Sequence, residues 1–131
     1  MEDLKVGING EAKTIVSESN TALALGSGGV PVFATPAMIA LMEKAALSSV
    51  APYLPEGTST VGISITSSHI AATPLAMEVT ARAELTEIDG KKLVFRIEAF
   101  DAVEKIGEGI HERFIINVEK FMNKNEQKKN K

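Results

Sequence analysis

One helical segment constrains the fold more than any other part of the sequence. Thr35-Pro36 places a hydroxyl cap before a proline, a common start of a helix, and Ala37 to Val50 follows with strong helix formers until Pro52. Only four residues of the segment are polar: Glu43, Lys44, Ser48 and Ser49. Because a helix that is apolar almost all round must be covered, we expect a sheet to wrap it.

The second half of the chain is typical of antiparallel strands. Within the strand expected at Thr60 to Ile70, Val61, Ile63 and Ile65 alternate with polar or small residues at period two. Met77 to Glu87 and Lys91 to Asp101 flank the tight-turn sequence Asp89-Gly90. The side chains predicted to face the core of these last two strands are Met77, Val79, Ala81, Ala83, Leu85, Leu93, Phe95, Ile97 and Ala99.

Three weaker signals complete the element order. Gly107 predicts a turn before a last strand from Glu108 to Val118. Its predicted core-facing residues are Ile110, Phe114, Ile116 and Val118. A strand is expected at Glu11 to Val16 and a short helical turn within Ser19 to Leu25. The fold class is therefore α+β, an antiparallel sheet curled around one helix, with edge strands that a second copy could extend into a dimer.

Composition excludes several classes of function. The 131 residues suffice for one domain, and the chain has no Cys, so thiol chemistry and thiolate metal sites are absent. With two His far apart in sequence, a His-rich zinc site is improbable and no metal is expected. We expect no membrane span, since no run of 18 apolar residues occurs, and a cytoplasmic location, since Met1 to Val6 does not resemble a secretory signal.

Charge separates the body of the chain from its end. From Glu119 to Lys131 the net charge is +3, which leaves −6 for the remainder. We expect one domain over residues 1–121 and a basic, disordered tail over residues 122–131. The tail could attract a polyanion or simply be solvated. The body has no basic patch interleaved with aromatic residues, so no nucleic-acid partner is expected.

Glu43 is the most informative single residue. Its helix neighbours Ile39, Ala40, Ala46 and Leu47 are all apolar, so the carboxylate lies in an apolar arc where burial is costly. Such groups are enriched in active sites. The alternative is a structural ion pair with one of three arginines: Arg82, Arg96 or Arg113.

Thr35 and His69 are the next candidates. Thr35 could be a helix cap only, or it could act with free amides at the helix start on a developing oxyanion. It lies about 12 Å along the helix from Glu43. His69 ends a strand and is either a general acid or base or a surface histidine. His111 shares a strand face with Arg113, and we expect both on the solvent or interface side.

The glycine-rich loop Gly26-Ser27-Gly28-Gly29 fails as a phosphate loop because no Lys-Ser/Thr follows it. We interpret it as a turn that lets the loop close over a pocket.

The run from Thr21 to Gly28, the run from Val30 to Ala37 and the helix with Glu43 together resemble the fluoroacetyl-CoA-thioesterase-like branch of the hotdog-fold thioesterases. The resemblance covers roughly Val6 to Phe121. It implies a hotdog fold, a homodimer with active sites at the interface, and hydrolysis of an acyl-CoA thioester without a further cofactor. The family's reactive threonine, glutamate and histidine match Thr35, Glu43 and His69.

The resemblance also implies substrate contacts, which we expect at Val32, Phe33, Gly28, Gly29 and Arg113. Contacts to the coenzyme A phosphates are expected among Lys44, Lys91, Lys92, Arg113, Lys120 and the tail lysines. The acyl group is not defined, although short chains are expected. The competing hypothesis is a hotdog module that binds an acyl-CoA or a similar small ligand without turnover, and a hotdog dehydratase is a third, less favoured one.

Overall fold

The computed structural model of the protein describes residues 3–130. Its strands are β1 (Asn9–Ile15), β2 (Thr58–His69), β3 (Glu78–Asp89), β4 (Lys92–Phe100) and β5 (Lys105–Asn117). Its helices are α1 (Ala22–Leu25), α2 (Thr35–Val50) and α3 (Val118–Glu126). Short 3₁₀ turns follow α2 at Ala51–Tyr53 and α3 at Gln127–Asn130. No helix in the described range is both long and apolar enough to cross a membrane.

The strands form one antiparallel sheet in the order β1-β3-β4-β5-β2. Helix α2 packs on one face of this sheet, and its residues Met38, Met42, Ala45, Ala46 and Val50 are fully buried there. The predicted architecture, a sheet wrapped around an apolar helix, is confirmed.

The central hairpin follows the sequence prediction closely. Val79, Ala81, Ala83 and Leu85 of β3 and Leu93, Phe95, Ile97 and Ala99 of β4 are all at most 2% exposed. Gly90, between the two strands, has φ +62°, a conformation that glycine adopts without steric cost. Strict alternation therefore predicted the buried face, while the register of the pair shifts between Leu85 and Glu87.

The prediction for β5 was wrong in its face. Ile110 and Phe114 are 49% and 40% exposed, and the core side of β5 carries Gly107, His111 and Arg113. Gly107 is not a turn residue, because the chain reverses at residues 101–104 instead. A Cβ at Gly107 would lie 2.9 Å from the Met38 Cε atom, so the glycine makes room for α2. Val118, predicted at the end of this strand, begins α3.

The C-terminal segment also differs from its prediction. Instead of a disordered tail, residues 118–130 form α3 and a 3₁₀ turn, and Lys131 lies outside the described residues. Every residue of α3 is exposed. The side chain of Asn117 accepts a hydrogen bond from the amide of Lys120 at 3.0 Å and caps the helix, a signal that apolar periodicity does not report.

Candidate active site

Thr35 and His69 meet at one end of the α2–sheet interface. The Thr35 Oγ1 and His69 Nδ1 atoms are 2.8 Å apart, a hydrogen-bond distance. The predicted cap role of Thr35 was wrong, because α2 starts one residue earlier than expected, with Ala34 at the N-cap position. The Thr35 hydroxyl thus contacts the imidazole instead of a backbone amide of its own helix.

A pocket of about 290 Å³ opens beside this pair. Its lining residues are Ala22, Ser27, Val32, Phe33, Thr35, His69, Ile70, Ala71 and Ala72. Two of the expected substrate contacts, Val32 and Phe33, therefore line it. Gly28 and Gly29 lie next to it in an exposed loop, after Gly26 has ended α1 with φ +73°.

The His69 ring is poised as a neutral base. Burial lowers the pKa of His69 below its usual value, and the backbone of Ala71 opposes this in part. Its Nε2 atom is buried and has no hydrogen-bond partner within residues 3–130. A neutral imidazole in contact with a hydroxyl is the arrangement in which a base can activate an oxygen nucleophile.

Glu43 belongs to a second cluster. Its Oε2 atom lies 3.8 Å from the Nη1 atom of Arg113, so Arg113 is the arginine that pairs with it. The Glu43 side chain is 42% exposed in the single chain, whereas that of Arg113 is only 7% exposed. The expected burial of the carboxylate was therefore wrong for one chain, while Arg113 is buried beside it and not on the solvent side.

Arg113 is held in place by a set of short hydrogen bonds. Its Nε and Nη2 atoms donate to the side chain and the carbonyl of Thr60, both at 2.8 Å. Its Nη1 atom also contacts His111 Nε2 at 3.1 Å. His111 is 1% exposed, which corrects the prediction that it faces solvent or an interface. The sequence contained a signal for this: Gly107, Gly109, His111 and Arg113 share one strand face of small and polar residues, opposite a helix with a lone glutamate.

A β-bulge in β2 brings both clusters to the helix side of the sheet. The register of β2 against β5 shifts between Gly62 and Ser64. Thr60 and Gly62, which precede the shift, face α2. Ile65 and His69, which follow the shift, face α2 as well. His69 is seven positions after Gly62. An odd offset places two residues on opposite faces of a regular strand, so the bulge is what brings both to the same face.

The two clusters are apart within one chain. Glu43 contacts β2 at Gly62, about 23 Å along the strand from His69 for a regular rise. Glu43 and Arg113 are not among the residues of the described chain that line the Thr35–His69 pocket. No group of three or more His, Cys, Asp or Glu residues within this range is placed to hold a metal ion.

Comparisons with known proteins identify the family of the chain. Residues 16–119 match the family model described as FlK, fluoroacetyl-CoA-specific thioesterase. The fluoroacetyl-CoA thioesterase of Streptantibioticus cattleyicolor is 46% identical over 97 residues, which are 74% of this chain and 70% of that protein.

Solved structures show the same fold. The crystal structure of a mutant of the fluoroacetyl-CoA-specific thioesterase FlK has a TM-score of 0.90 and 37% identity, covering 98% of this chain and 99% of that one. A Thermus thermophilus hypothetical protein of the thioesterase superfamily has a TM-score of 0.91 and 26% identity, covering 99% and 96%. The predicted hotdog fold is thus confirmed, and the chain belongs to the family of fluoroacetyl-CoA-specific thioesterases.

Proposed function

We propose that the protein hydrolyses a short-chain acyl-CoA thioester, with Thr35, Glu43 and His69 as the reactive residues of a site completed between two subunits. Its family membership makes it a thioester hydrolase. The observation that carries the finer proposal is the 2.8 Å contact between Thr35 Oγ1 and His69 Nδ1 at the wall of a pocket. A volume of about 290 Å³ lies at the low end for ligand pockets and suits a short acyl group.

The first chemical step uses the Thr35–His69 pair. The Thr35 hydroxyl attacks the thioester carbonyl carbon while His69 accepts its proton, and the carbonyl becomes an oxyanion. The amides of Thr35 and Ala37 in the first turn of α2 have no acceptor inside the helix and would stabilise this charge, assisted by the helix dipole. Collapse of the intermediate breaks the carbon–sulfur bond, and the proton from His69 leaves with the thiol of coenzyme A.

The second step needs a base for water. Glu43, held by Arg113, is the carboxylate available for this, and it would take a proton from the water that attacks the acyl-threonine ester. Collapse of the tetrahedral intermediate breaks the bond between the acyl carbon and the Thr35 oxygen, and this oxygen takes back the proton held by Glu43. The carboxylic acid leaves, and both the Thr35 hydroxyl and the Glu43 carboxylate are restored. Neither step requires a metal or a further cofactor.

A second subunit supplies the geometry that one chain lacks. Strand β2 is at an edge of the sheet, and antiparallel pairing of two β2 strands across a two-fold axis would extend the sheet. With the two-fold axis between Ile65 and Thr66, His69 of one strand would lie opposite Gly62 of the other, near Glu43 of the partner subunit. We therefore propose a homodimer, assembled from the domain of residues 1–121 and active in the cytoplasm.

The substrate contacts follow from the same arrangement. Val32 and Phe33 border the acyl group, the loop with Gly28 and Gly29 closes beside it, and Arg113 contacts it from the Glu43 cluster. The coenzyme A phosphates are to be sought at Lys44, Lys91, Lys92, Lys120 and the tail lysines.

A panel of short-chain acyl-CoA thioesters with detection of free thiol tests the function. We expect turnover by the wild type, a loss of about a hundredfold or more in T35A, and partial retention in T35S, because serine keeps the hydroxyl. Mass spectrometry of quenched E43Q should show an acyl group on Thr35, because the ester forms but is not hydrolysed. Binding of acyl-CoA without turnover would favour the binding module instead, and unchanged turnover in E43Q would remove Glu43 from the mechanism.

A further inference from the structure

We propose that His111 is a positioning residue of the thioesterase site, which acts through Arg113 on the carboxylate of Glu43 and holds the β2 bulge in place. The proposal rests on the function proposed above. His111 is remote from the Thr35–His69 pocket, and the mechanism gives it no proton to transfer. Its burial and its two hydrogen-bonded ring nitrogens nonetheless need an explanation.

The partners of His111 define its protonation state. A backbone carbonyl only accepts hydrogen bonds, and the carbonyl of Ser64 lies 2.8 Å from Nδ1, so Nδ1 carries a proton. A guanidinium only donates hydrogen bonds, and Arg113 Nη1 lies 3.1 Å from Nε2, so Nε2 is unprotonated and accepts. Both bonds exist together only in the neutral ring with its proton on Nδ1.

This ring links the bulge to the ion pair. Ser64 lies directly after the register shift in β2, so the His111 Nδ1–H bond ties the bulged backbone to β5. On its other side, His111 fixes the Arg113 Nη1 atom that faces Glu43 at 3.8 Å. A Cβ at Gly62 would lie 2.8 Å from Glu43 Oε2 and 3.2 Å from His111 Cε1, which shows how closely the two side chains converge.

The charged groups around His111 make its contact with Arg113 sensitive to protonation of the ring. Burial lowers the pKa of His111, a backbone hydrogen bond with Ser64 opposes this, and Arg113 lowers it further. Glu43 from α2 and Glu112 from β5 act in the opposite direction, and β4 contributes only the neutral ring of Phe95. A proton added to Nε2 would face a donor on Arg113, so it would break the contact and free the Nη1 atom, while Nε and Nη2 stay bonded to Thr60.

Nitrogen-15 NMR of the imidazole rings tests the protonation state directly. The chain has only two histidines, and an H69N variant assigns the signals. We expect His111 in the Nδ1–H form and neutral at pH 7, with a titration midpoint below the ordinary value of about 6.5. In R113M the midpoint should move up toward that value. A charged His111 at pH 7, or a proton on Nε2, would overturn the proposal.

Two substitutions distinguish the two roles proposed for His111, which are to position Arg113 and to support the bulge in β2. In H111Q the amide oxygen can take the place of Nε2 and accept from Arg113. In H111N the amide nitrogen can take the place of Nδ1 and donate to Ser64, but the chain is too short to reach Arg113. We expect H111N to lower kcat/KM by about ten- to a hundredfold and H111Q by much less, because a misplaced site group has effects of this size.

The pH profile and a double-mutant cycle complete the test. In the wild type, protonation of His69 and protonation of His111 both lower kcat at acidic pH. H111Q should lose the decrease caused by His111 and keep the decrease caused by His69. Adding H111N to R113M should change kcat less than twofold, since the contact that it removes is already gone. Equal losses in both backgrounds, or higher activity in H111N than in H111Q, would contradict action through Arg113.

The two levels of the proposal fail in different ways. Thermal melts of each variant identify any that is unfolded, and the NMR measurement on the wild type does not depend on them. A wild type without turnover of any acyl-CoA would overturn the proposed function itself. An active wild type with an equally active, folded H111N would overturn only the role of His111.

Discussion

Gly62 shows how a single residue without a side chain makes room for the chemistry. The place of its Cβ is bounded by Glu43 Oε2 at 2.8 Å, His111 Cε1 at 3.2 Å and Arg113 Nη1 at 3.4 Å. The closest of these atoms is at the end of the half-exposed Glu43 side chain, so a methyl group would push the carboxylate away. We expect Gly62→Ala to lower kcat by about tenfold or more while the thermal midpoint changes little, because the displaced group is the end of a flexible side chain. Thiol-release kinetics and a thermal melt of the same sample measure both quantities. A large loss of stability would mean that the bulge, and not the carboxylate, has moved.

Ala76 carries backbone strain that a substitution can relieve. Its φ of +75° is in the left-handed region, which costs a residue with a Cβ about 1–2 kcal/mol. Ala76→Gly removes this cost but adds freedom to the unfolded chain, about 0.5–1 kcal/mol. The first effect is the larger, so we expect the thermal midpoint to rise by up to a few degrees.

The matched control for Ala76→Gly is Ala51→Gly, at an exposed position with φ −50°, where only the second effect operates. That variant should lower the midpoint. If both variants lower it equally, Ala76 is not strained in solution.

At the scale of residues, the sequence offered candidates for the site but not their contacts. Thr35, Glu43 and His69 could be named because a hydroxyl at a helix start, a carboxylate in an apolar arc and an imidazole at a strand end are unusual placements. That Thr35 bonds His69 and Glu43 pairs with Arg113 could not be predicted. These contacts depend on one extra residue in β2, and the alternation of Val61, Ile63 and Ile65 gives no sign of the bulge.

At the scale of elements, the prediction was reliable where one face is uniformly apolar. Helix α2 was predicted in type and position, and the β3–β4 hairpin also in its buried face, because burial of apolar side chains is the effect that decides the orientation of the strands. Strand β5 was predicted with its faces exchanged. The core side of β5 carries a glycine next to Met38 and polar residues next to Glu43. Ile110 and Phe114 therefore lie on the outer side of the strand.

The crossing of α2 over β1 depends on another glycine. A Cβ at Gly10 would lie 2.6 Å from the backbone oxygen of Ala45 and 2.8 Å from the Cα of Ser49. Backbone atoms cannot move aside as a side chain can, so Gly10→Ala should force β1 and α2 apart at a cost of about 1–3 kcal/mol.

Urea unfolding measures the loss in Gly10→Ala, and enzyme that remains folded should keep most of its activity. This is the reverse of the pattern expected for Gly62→Ala. A Gly10→Ala protein of normal stability would show that the helix does not approach β1 so closely.

For the whole molecule, the buried His111 and the partly buried His69 make stability depend on pH. The pKa values of His69 and His111 are both lowered in the folded protein, mainly by burial. Below the ordinary histidine pKa of about 6.5 the unfolded chain therefore binds more protons than the folded one, so stability falls as the pH drops and the loss ends below the folded pKa values. We expect the urea midpoint to decrease from pH 7.5 to pH 5.5. The decrease should be smaller in H111Q, and a midpoint that rises on acidification would contradict the burial of both rings.

Assembly decides whether one chain holds a complete site. Each chain has its Thr35–His69 pair and its Glu43–Arg113 pair at different places along β2, so we expect a catalytic centre to combine the first pair with the second pair of the partner subunit. Two inactive variants, T35A and E43Q, should then complement each other when their subunits are exchanged. In a mixed dimer, one of the two centres has both an intact Thr35 and an intact Glu43.

Random exchange of equal amounts makes half of the dimers mixed, so about a quarter of the wild-type activity should return. The control is the double variant T35A/E43Q mixed with wild type, in which the mixed dimer has no intact centre if the sites are shared and one if each chain is complete. No recovery from the two single variants, together with wild-type activity per intact chain in the control, would show that Thr35 and Glu43 of the same chain work together.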